Sequence, residues 1–201
     1  MCFVRWKIRY FTTTQESACV VSLIPTPPLP VPPIFLGACQ LATVDLGPLA
    51  SFTPKKGQES ALQAYLATLD LACPPPNHAQ SNSTQSVLWA GAAQWFFQGP
   101  LPEKLMQFAY VSDQSDGWAT LSLSGATAPN VLARLYPLDL REKVFGVGQL
   151  ARAPLMHMAS LLHRTKPREF TLYVFRSMAQ TAWHEVKTAM IHVAARGRDG
   201  V

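Results

Sequence analysis

Short apolar segments separated by turn residues alternate with helical segments along the second half of the chain, and this order limits the fold more than any other feature. "WATLSLSG" at 118–125 alternates polar and apolar residues as a half-buried strand does. Four further stretches predict strands: "VLWAG", "QWFFQG", "LARAPLMHMASLLHR" (150–164) and "EFTLYVF" (169–175). Strands joined by turns and interrupted by helices predict an α+β domain whose antiparallel sheet has helices packed on one face.

Two segments have the spacing of amphipathic helices. "QESALQAYLATLDL" at 58–71 places on one face Leu62, Tyr65, Leu66 and Leu69. A last helix, from about Met178 into the 190s, places on one face Ala179, Ala182, Trp183, Val186, Met190 and Val193. Pro102 and Pro129 favour the starts of two short helices, at 102–109 and before Pro137.

Arg176 and Ser177 stand between the last predicted strand and the last helix. Ser177 followed by Gln180 fits a capping box, in which the hydroxyl accepts from the first helical turn. A nucleophilic serine would need a nearby base, and no GxSxG elbow is present, while His184 lies seven residues further along the helix. We therefore expect a cap, and we expect Arg176 to point outward, where it can pair with a partner's carboxylate.

The proline-rich stretch "PTPPLPVPP" at 25–33 cannot supply the backbone hydrogen bonds of a helix or sheet. We expect residues 1–35 to form a disordered N-terminal segment, 36–195 to form the α+β domain, and 196–201 to form a tail. "CPPPNHAQSNSTQS" at 73–86 predicts an exposed loop. A division of the domain into two small lobes near 73–86 stays open at this point.

Composition favours some classes of protein over others. Apolar residues make up 48% and charged residues only 14%, which indicates either a surface made for protein contact or the effect of the proline-rich segments. The net charge of +5 is scattered, so nucleic-acid binding is not expected. No apolar run reaches the length of a membrane helix, and "ACVVSLI" at 18–24 is a poor secretion signal, so we expect a cytoplasmic protein.

The chain shows no self-sufficient catalytic or metal site. The four cysteines, at 2, 19, 39 and 73, form no CxxC pair and favour reduced thiols over a zinc site. His157 and His163, and also His184 and His192, are spaced so that each pair could share one face, but neither pair has an adjacent third ligand. Asp139, in "PLDL", is expected to bond to nearby backbone N–H groups or to Arg141.

Four segments of the second half stand out in order: "VLWAGAAQWFF" (87–97), "TLSLSGATAPNVLARLYPLDL" (120–140), "VFGVGQLARAPLMHMASLLHR" (144–164) and "FTLYVFRSMAQTAWHEV" (170–186). Together they resemble the gamma subunit of heterotetrameric sarcosine oxidase. The resemblance covers about 110 residues, from Ser86 to the end of the last helix. The family's proline and acidic residue in the first turn are replaced here by Ala92 and Ala93.

The resemblance implies a fold similar to a folate-binding aminomethyltransferase domain and a non-catalytic role in a complex with alpha, beta and delta subunits. It implies that the complex oxidises sarcosine to glycine and hydrogen peroxide, with formaldehyde or 5,10-methylenetetrahydrofolate as the one-carbon product. FAD, FMN, NAD and tetrahydrofolate are then expected in the partner subunits, and none on this chain.

Two functions follow as alternatives. As a structural subunit, the chain is expected to contact its partners through Arg176, Trp183, Arg141 and Trp95, although burial in its own core is the competing prediction for both tryptophans. As a free-standing folate-binding or aminomethyl-transfer module, it would need a carboxylate for the pterin, and Asp139 is the candidate. A basic RNA-binding adaptor is a third possibility that lacks an aromatic and basic motif.

Overall fold

The computed structural model of the protein describes residues 26–45 and 47–196. The expectations for residues 1–25, including the signal-like stretch at 18–24, and for 197–201 lie outside the described residues. The described chain forms two antiparallel sheets and four α-helices, so the α+β prediction is confirmed.

The strands of the first sheet are β1 (Ile34–Leu36), β2 (Cys39–Thr43), β8 (Trp118–Gly125), β9 (Leu150–Leu155), β10 (Met158–Lys166) and β11 (Glu169–Phe175). They lie in the order β1-β2-β8-β11-β10-β9. The strands of the second sheet are β3 (Leu49–Pro54), β4 (Ala79–Ser81), β5 (Ser86–Gly91), β6 (Gln94–Gln98) and β7 (Ala109–Asp113). They lie in the order β4-β5-β6-β3-β7.

The helices lie on the outer faces of the two sheets. They are α1 (Glu59–Ala67), α2 (Leu105–Phe108), α3 (Ala128–Leu132) and α4 (Ala179–Arg196), and a 3₁₀ turn at Arg176–Met178 precedes α4. Both α3 and α4 pack on the first sheet, where the buried residues of β8 alternate with half-buried ones as predicted. The predicted face of α4 is confirmed, because its residues lie in this core, with Val193 partly buried at its edge.

The outer face of the second sheet is covered by α1 and α2. Leu62 and Leu66 of α1 are buried against Phe52 and Phe97 of the sheet, and Tyr65 and Leu69 pack beside them. The predicted apolar face of this helix is therefore confirmed. Fully burying one leucine side chain contributes about 2 kcal/mol, so this face secures the short helix to the sheet.

The inner faces of the two sheets pack against each other. Leu49, Leu88 and Phe96 of the second sheet meet Leu161 and Tyr173 of the first in one buried cluster. The expectation of a sheet covered on one face only is thus corrected, because the first sheet has helices on one side and a second sheet on the other. The sequence of β11 is consistent with this arrangement, because a continuous apolar run is typical of a strand that is buried on both faces.

Each sheet is built from strands that are grouped along the chain. The strands of the second sheet lie within 49–54 and 79–113, and those of the first sheet lie before and after these segments. The segment 73–86 lies within the second sheet's portion and contains β4, which pairs with β5, so it is not loop throughout. Leu29 is buried in the helix-side core, so residues 26–35 lie on the domain rather than apart from it.

The entrance to α4 differs from the predicted capping box. Ser177 is exposed within the 3₁₀ turn, and no side-chain capping hydrogen bond is formed there. The chain instead passes from β11 through the tighter turn directly into α4 at Ala179, which is buried. Burial of Ala179 and of the apolar face behind it, rather than a serine cap, holds the start of this helix.

Candidate functional site

A large cleft of about 880 Å³ opens where the ends of several strands from both sheets meet. β2 ends at Thr43, β8 begins at Trp118, and β11 passes into Arg176, so these residues lie at one edge of the first sheet. Across the cleft, the second sheet contributes Leu49 and Gln98, which are partners in the register of β3 and β6. Residues 26–29 complete the wall.

A tyrosine connects the two sheets beside this cleft. Tyr173 is 2% exposed, and its hydroxyl donates to Oε1 of Gln98 across a distance of 3.0 Å. Burial raises the pKa of Tyr173, because the phenolate would lose its hydration there. Tyr173 is therefore a neutral hydrogen-bond donor that fixes the Gln98 side chain at the cleft.

Trp118 forms part of the cleft wall and packs against aromatic side chains from both sheets. Its ring centroid lies 5.3 Å from that of Phe96 and 4.6 Å from that of Phe175. Its indole N–H is buried and has no hydrogen-bond partner among the described residues. Buried donors are almost always paired in folded proteins, so this indole N–H is an exception among the buried polar groups described here.

The charges of the cleft lie at its rim. Arg176 donates to the backbone carbonyl of Thr26, and its Nη1 lies 3.9 Å from the carboxylate of Asp116. Asp45 also lines the cleft and, like Asp116, is exposed. Among the described residues, the cleft thus combines apolar side chains with one cation and two carboxylates, which is the character of a binding surface.

The four residues predicted to contact partners lie in different surroundings. Trp183 is 9% exposed in the core beneath α4, and Trp95 is half-buried, stacked on Phe52 with its indole N–H donating 3.0 Å to the carbonyl of Pro74. Arg176 lines the cleft, and the Arg141 side chain is 67% exposed. The structure brings no two of the four together in one site, and Arg141 is the only exposed residue among them.

Asp139 is not part of the cleft. It is exposed and accepts hydrogen bonds from the backbone N–H of Arg141 at 3.0 Å and from that residue's guanidinium group. These bonds lower the pKa of Asp139 to about 2. The expected pairing of Asp139 with Arg141 is confirmed, and the carboxylate proposed for a pterin is already engaged by its neighbour.

The first pair of histidines does not share a face, although its spacing allowed it. His157 is exposed in the turn between β9 and β10, whereas His163 is 8% exposed within β10. His184 and His192 are both exposed on α4. In residues 26–45 and 47–196, no three His, Cys, Asp or Glu side chains are grouped as metal ligands would be.

Apart from Arg176, sequence reasoning missed the residues that build the cleft. Gln98 and Tyr173 belong to strands that were predicted, but nothing local indicates that the two strands face each other from different sheets. The available signal was the continuous apolar run of β11, which indicates burial on both faces.

No helix in the described part of the chain is long and apolar enough to cross a membrane.

Comparison with known proteins identifies solved structures that share the fold of this chain. No protein-family model matches the chain, and no curated protein matches it by sequence. Among solved structures, it is similar to the heterotetrameric sarcosine oxidase from Corynebacterium sp. U-96 in complex with pyrrole 2-carboxylate, with 22% identity and a TM-score of 0.68. That match covers 80% of this chain and 88% of the other.

A second similar structure is the glycine cleavage system aminomethyltransferase T from Bartonella henselae, with 12% identity and a TM-score of 0.54. The match covers 75% of this chain but only 46% of the aminomethyltransferase. At these identities the two likenesses establish a shared fold. The chain therefore has an α+β fold of the aminomethyltransferase type and spans less than half of that enzyme's length.

Proposed function

We propose that this chain is the gamma subunit of a heterotetrameric sarcosine oxidase and acts as a structural subunit. The observation that supports the proposal most is the mutual coverage of the structural match, 80% of this chain and 88% of the chain in the sarcosine oxidase. Two chains of similar length that share one fold almost from end to end fit equivalent positions in a complex. The aminomethyltransferase, by contrast, is more than twice as long as the part that matches.

In this proposal the chemistry takes place on the companion chains. The complex oxidises sarcosine to glycine and hydrogen peroxide, with formaldehyde or 5,10-methylenetetrahydrofolate as the one-carbon product. The alpha, beta and delta subunits carry FAD, FMN, NAD and tetrahydrofolate, and the assembly is cytoplasmic. We expect Arg176 and Arg141 to meet carboxylates of a partner, which would then compete with their present neighbours Asp116 and Asp139.

Co-expression tests the proposal. The chain, tagged at one end, is produced together with the alpha, beta and delta subunits encoded in the same genome, and is purified through its tag. We expect the four chains to elute together in equal amounts, measured by native mass spectrometry. Elution of the tagged chain as a monomer, with the other three assembled in the flow-through, would contradict the proposal.

The alternative of a free-standing folate-binding module predicts a different result from a simpler experiment. The aminomethyltransferase-type fold favours this alternative, whereas the engagement of Asp139 by Arg141 weighs against its proposed pterin contact. Calorimetric titration of the isolated chain with tetrahydrofolate separates the two functions. A structural subunit gives no saturable heat, and saturable binding by the chain alone would favour the alternative.

A further inference from the structure

The large cleft at the edge where the two sheets meet has the start of the described chain in its wall. Thr26, the first described residue, lines this cleft of about 880 Å³ together with the two prolines that follow it. The Thr26 carbonyl accepts a hydrogen bond from Arg176, and Leu29 is buried in the helix-side core. These two contacts fix, at the cleft, the residue to which 1–25 are joined.

The lining of the cleft offers apolar surface from both sheets. Val44, directly after β2, and Trp118 of β8 come from the first sheet, and Pro48 and Leu49 stand at the start of β3 in the second. Val44 and Trp118 are half-buried, so part of their apolar surface is open to solvent. Covering such surface is favourable, and a volume of this size is typical of clefts that enclose a bound group.

The residues directly before Thr26 have the matching apolar character. "VVSLI" at 20–24 has one serine among four aliphatic residues, and Pro25 joins it to Thr26. A chain spans at most about 3.6 Å per residue, so the whole stretch is held within about 22 Å of Thr26. Tethering at this range gives an effective concentration on the order of millimolar, so a weak contact between the stretch and the cleft is sufficient for docking.

The charges of the cleft complement those of the same part of the chain. Asp45 and Asp116 line the cleft and are exposed, and Arg176 is the only cation among its described lining residues. Residues 1–25 carry three cations and one carboxylate. Exposed charges act over about 8 Å at physiological ionic strength, so the two carboxylates favour the approach of this basic part of the chain.

We propose that the cleft is the docking site for the chain's own residues 20–24. Their aliphatic side chains lie against Val44 and Trp118, and the cations upstream lie near Asp45 and Asp116. The cleft of the isolated chain is then closed to other apolar ligands. The proposal rests on the cleft and on the position of Thr26, and it does not depend on the assignment of the chain as a subunit.

Disulfide trapping in the full-length chain tests the docking. Cys19 directly precedes the proposed segment, and Val44→Cys places a second thiol in the cleft lining. Val144→Cys is the matched control, because Val144 is exposed and lies outside the cleft lining. We expect Cys19 to form a disulfide at least about tenfold faster with the thiol of Val44→Cys than with that of Val144→Cys, since docking raises the local concentration of the first pair. Peptide mass spectrometry under limiting oxidant gives both rates.

Two variants in the Val44→Cys background show whether apolar docking causes the trapping. Leu23→Asp places a charge in the apolar stretch and is expected to slow disulfide formation at least about tenfold, because the carboxylate would lose its hydration in the cleft. Thr13→Asp adds the same charge outside the stretch and is expected to change the rate by less than about twofold, since that charge stays in water. Equal trapping rates for Val44→Cys and Val144→Cys would overturn the proposal, and so would a rate that Leu23→Asp leaves unchanged.

Discussion

Gly125→Ala is expected to lower the free energy of unfolding by about 4 kcal/mol, because the residue combines an unusual backbone angle with close backbone neighbours. Gly125 ends β8 with φ of +122°, a region that side chains rarely adopt. A Cβ atom there would lie 2.1 Å from the carbonyl oxygen of Ala38 and 2.9 Å from Cα of Cys39. Both contacts are backbone, so no side-chain rotation relieves them, and the turn between β1 and β2 must move.

Gly57→Ala is the matched control for this prediction. Gly57 also has a positive φ, +79°, but no atom lies within 4 Å of the position a Cβ would take. Its substitution introduces backbone strain but no steric clash, and it is expected to lower the free energy of unfolding by about 1 kcal/mol. Urea unfolding of the three proteins gives both numbers, and equal losses for Gly125→Ala and Gly57→Ala would show that the predicted backbone clash is not present.

His163 is expected to make the fold sensitive to acid. The side chain is 8% exposed between Thr171 and Leu150 in the first sheet, and burial lowers the pKa of His163 from 6.5 to about 4. The unfolded chain therefore binds a proton more readily than the folded one between these two pH values. Stability is fully present above pH 6.5 and falls as the pH drops towards 4, by about 3 kcal/mol in total.

Comparison of variants isolates this effect from the titration of carboxylates, which all the proteins share. The free energy of unfolding is measured in urea at pH 7.5 and pH 4.5 for the parent, for His163→Gln and for His184→Gln. We expect the loss on acidification to be smaller by about 2.5 kcal/mol in His163→Gln, which cannot bind the proton. His184→Gln, changed at an exposed histidine of α4, should lose as much as the parent. A loss in His163→Gln as large as the parent's would contradict the prediction.

The parts of the fold that could be predicted from the sequence are those that depend on the local spacing of apolar residues. The alternation along β8 and the apolar faces of α1 and α4 are set by residues close together in the chain, and the structure buries those faces. The strands β3 and β7 were not predicted. β3 is buried along most of its length and includes Pro54, so it shows neither alternation nor strong strand propensity.

The site was less accessible to prediction because it depends on how the sheets meet. The contact of Tyr173 with Gln98 joins residues 75 positions apart, and the close approach of Ala38 to Gly125 joins two separate turns. Arg164 shows the same limit, since it is 1% exposed with its guanidinium group 4.6 Å from the ring of Phe170. A cation in the sequence normally indicates an exposed position, and only the packed structure shows this one enclosed by aromatic rings.

Assembly of the complex with and without this chain tests the central claim most directly. The alpha, beta and delta subunits are produced with and without it, and sedimentation velocity together with sarcosine-dependent oxygen uptake is measured for each preparation. The account predicts a stable, active tetramer only when the chain is present, and incomplete or dissociating particles when it is omitted. A three-subunit flavoprotein with undiminished activity and the same stability on dilution would contradict it.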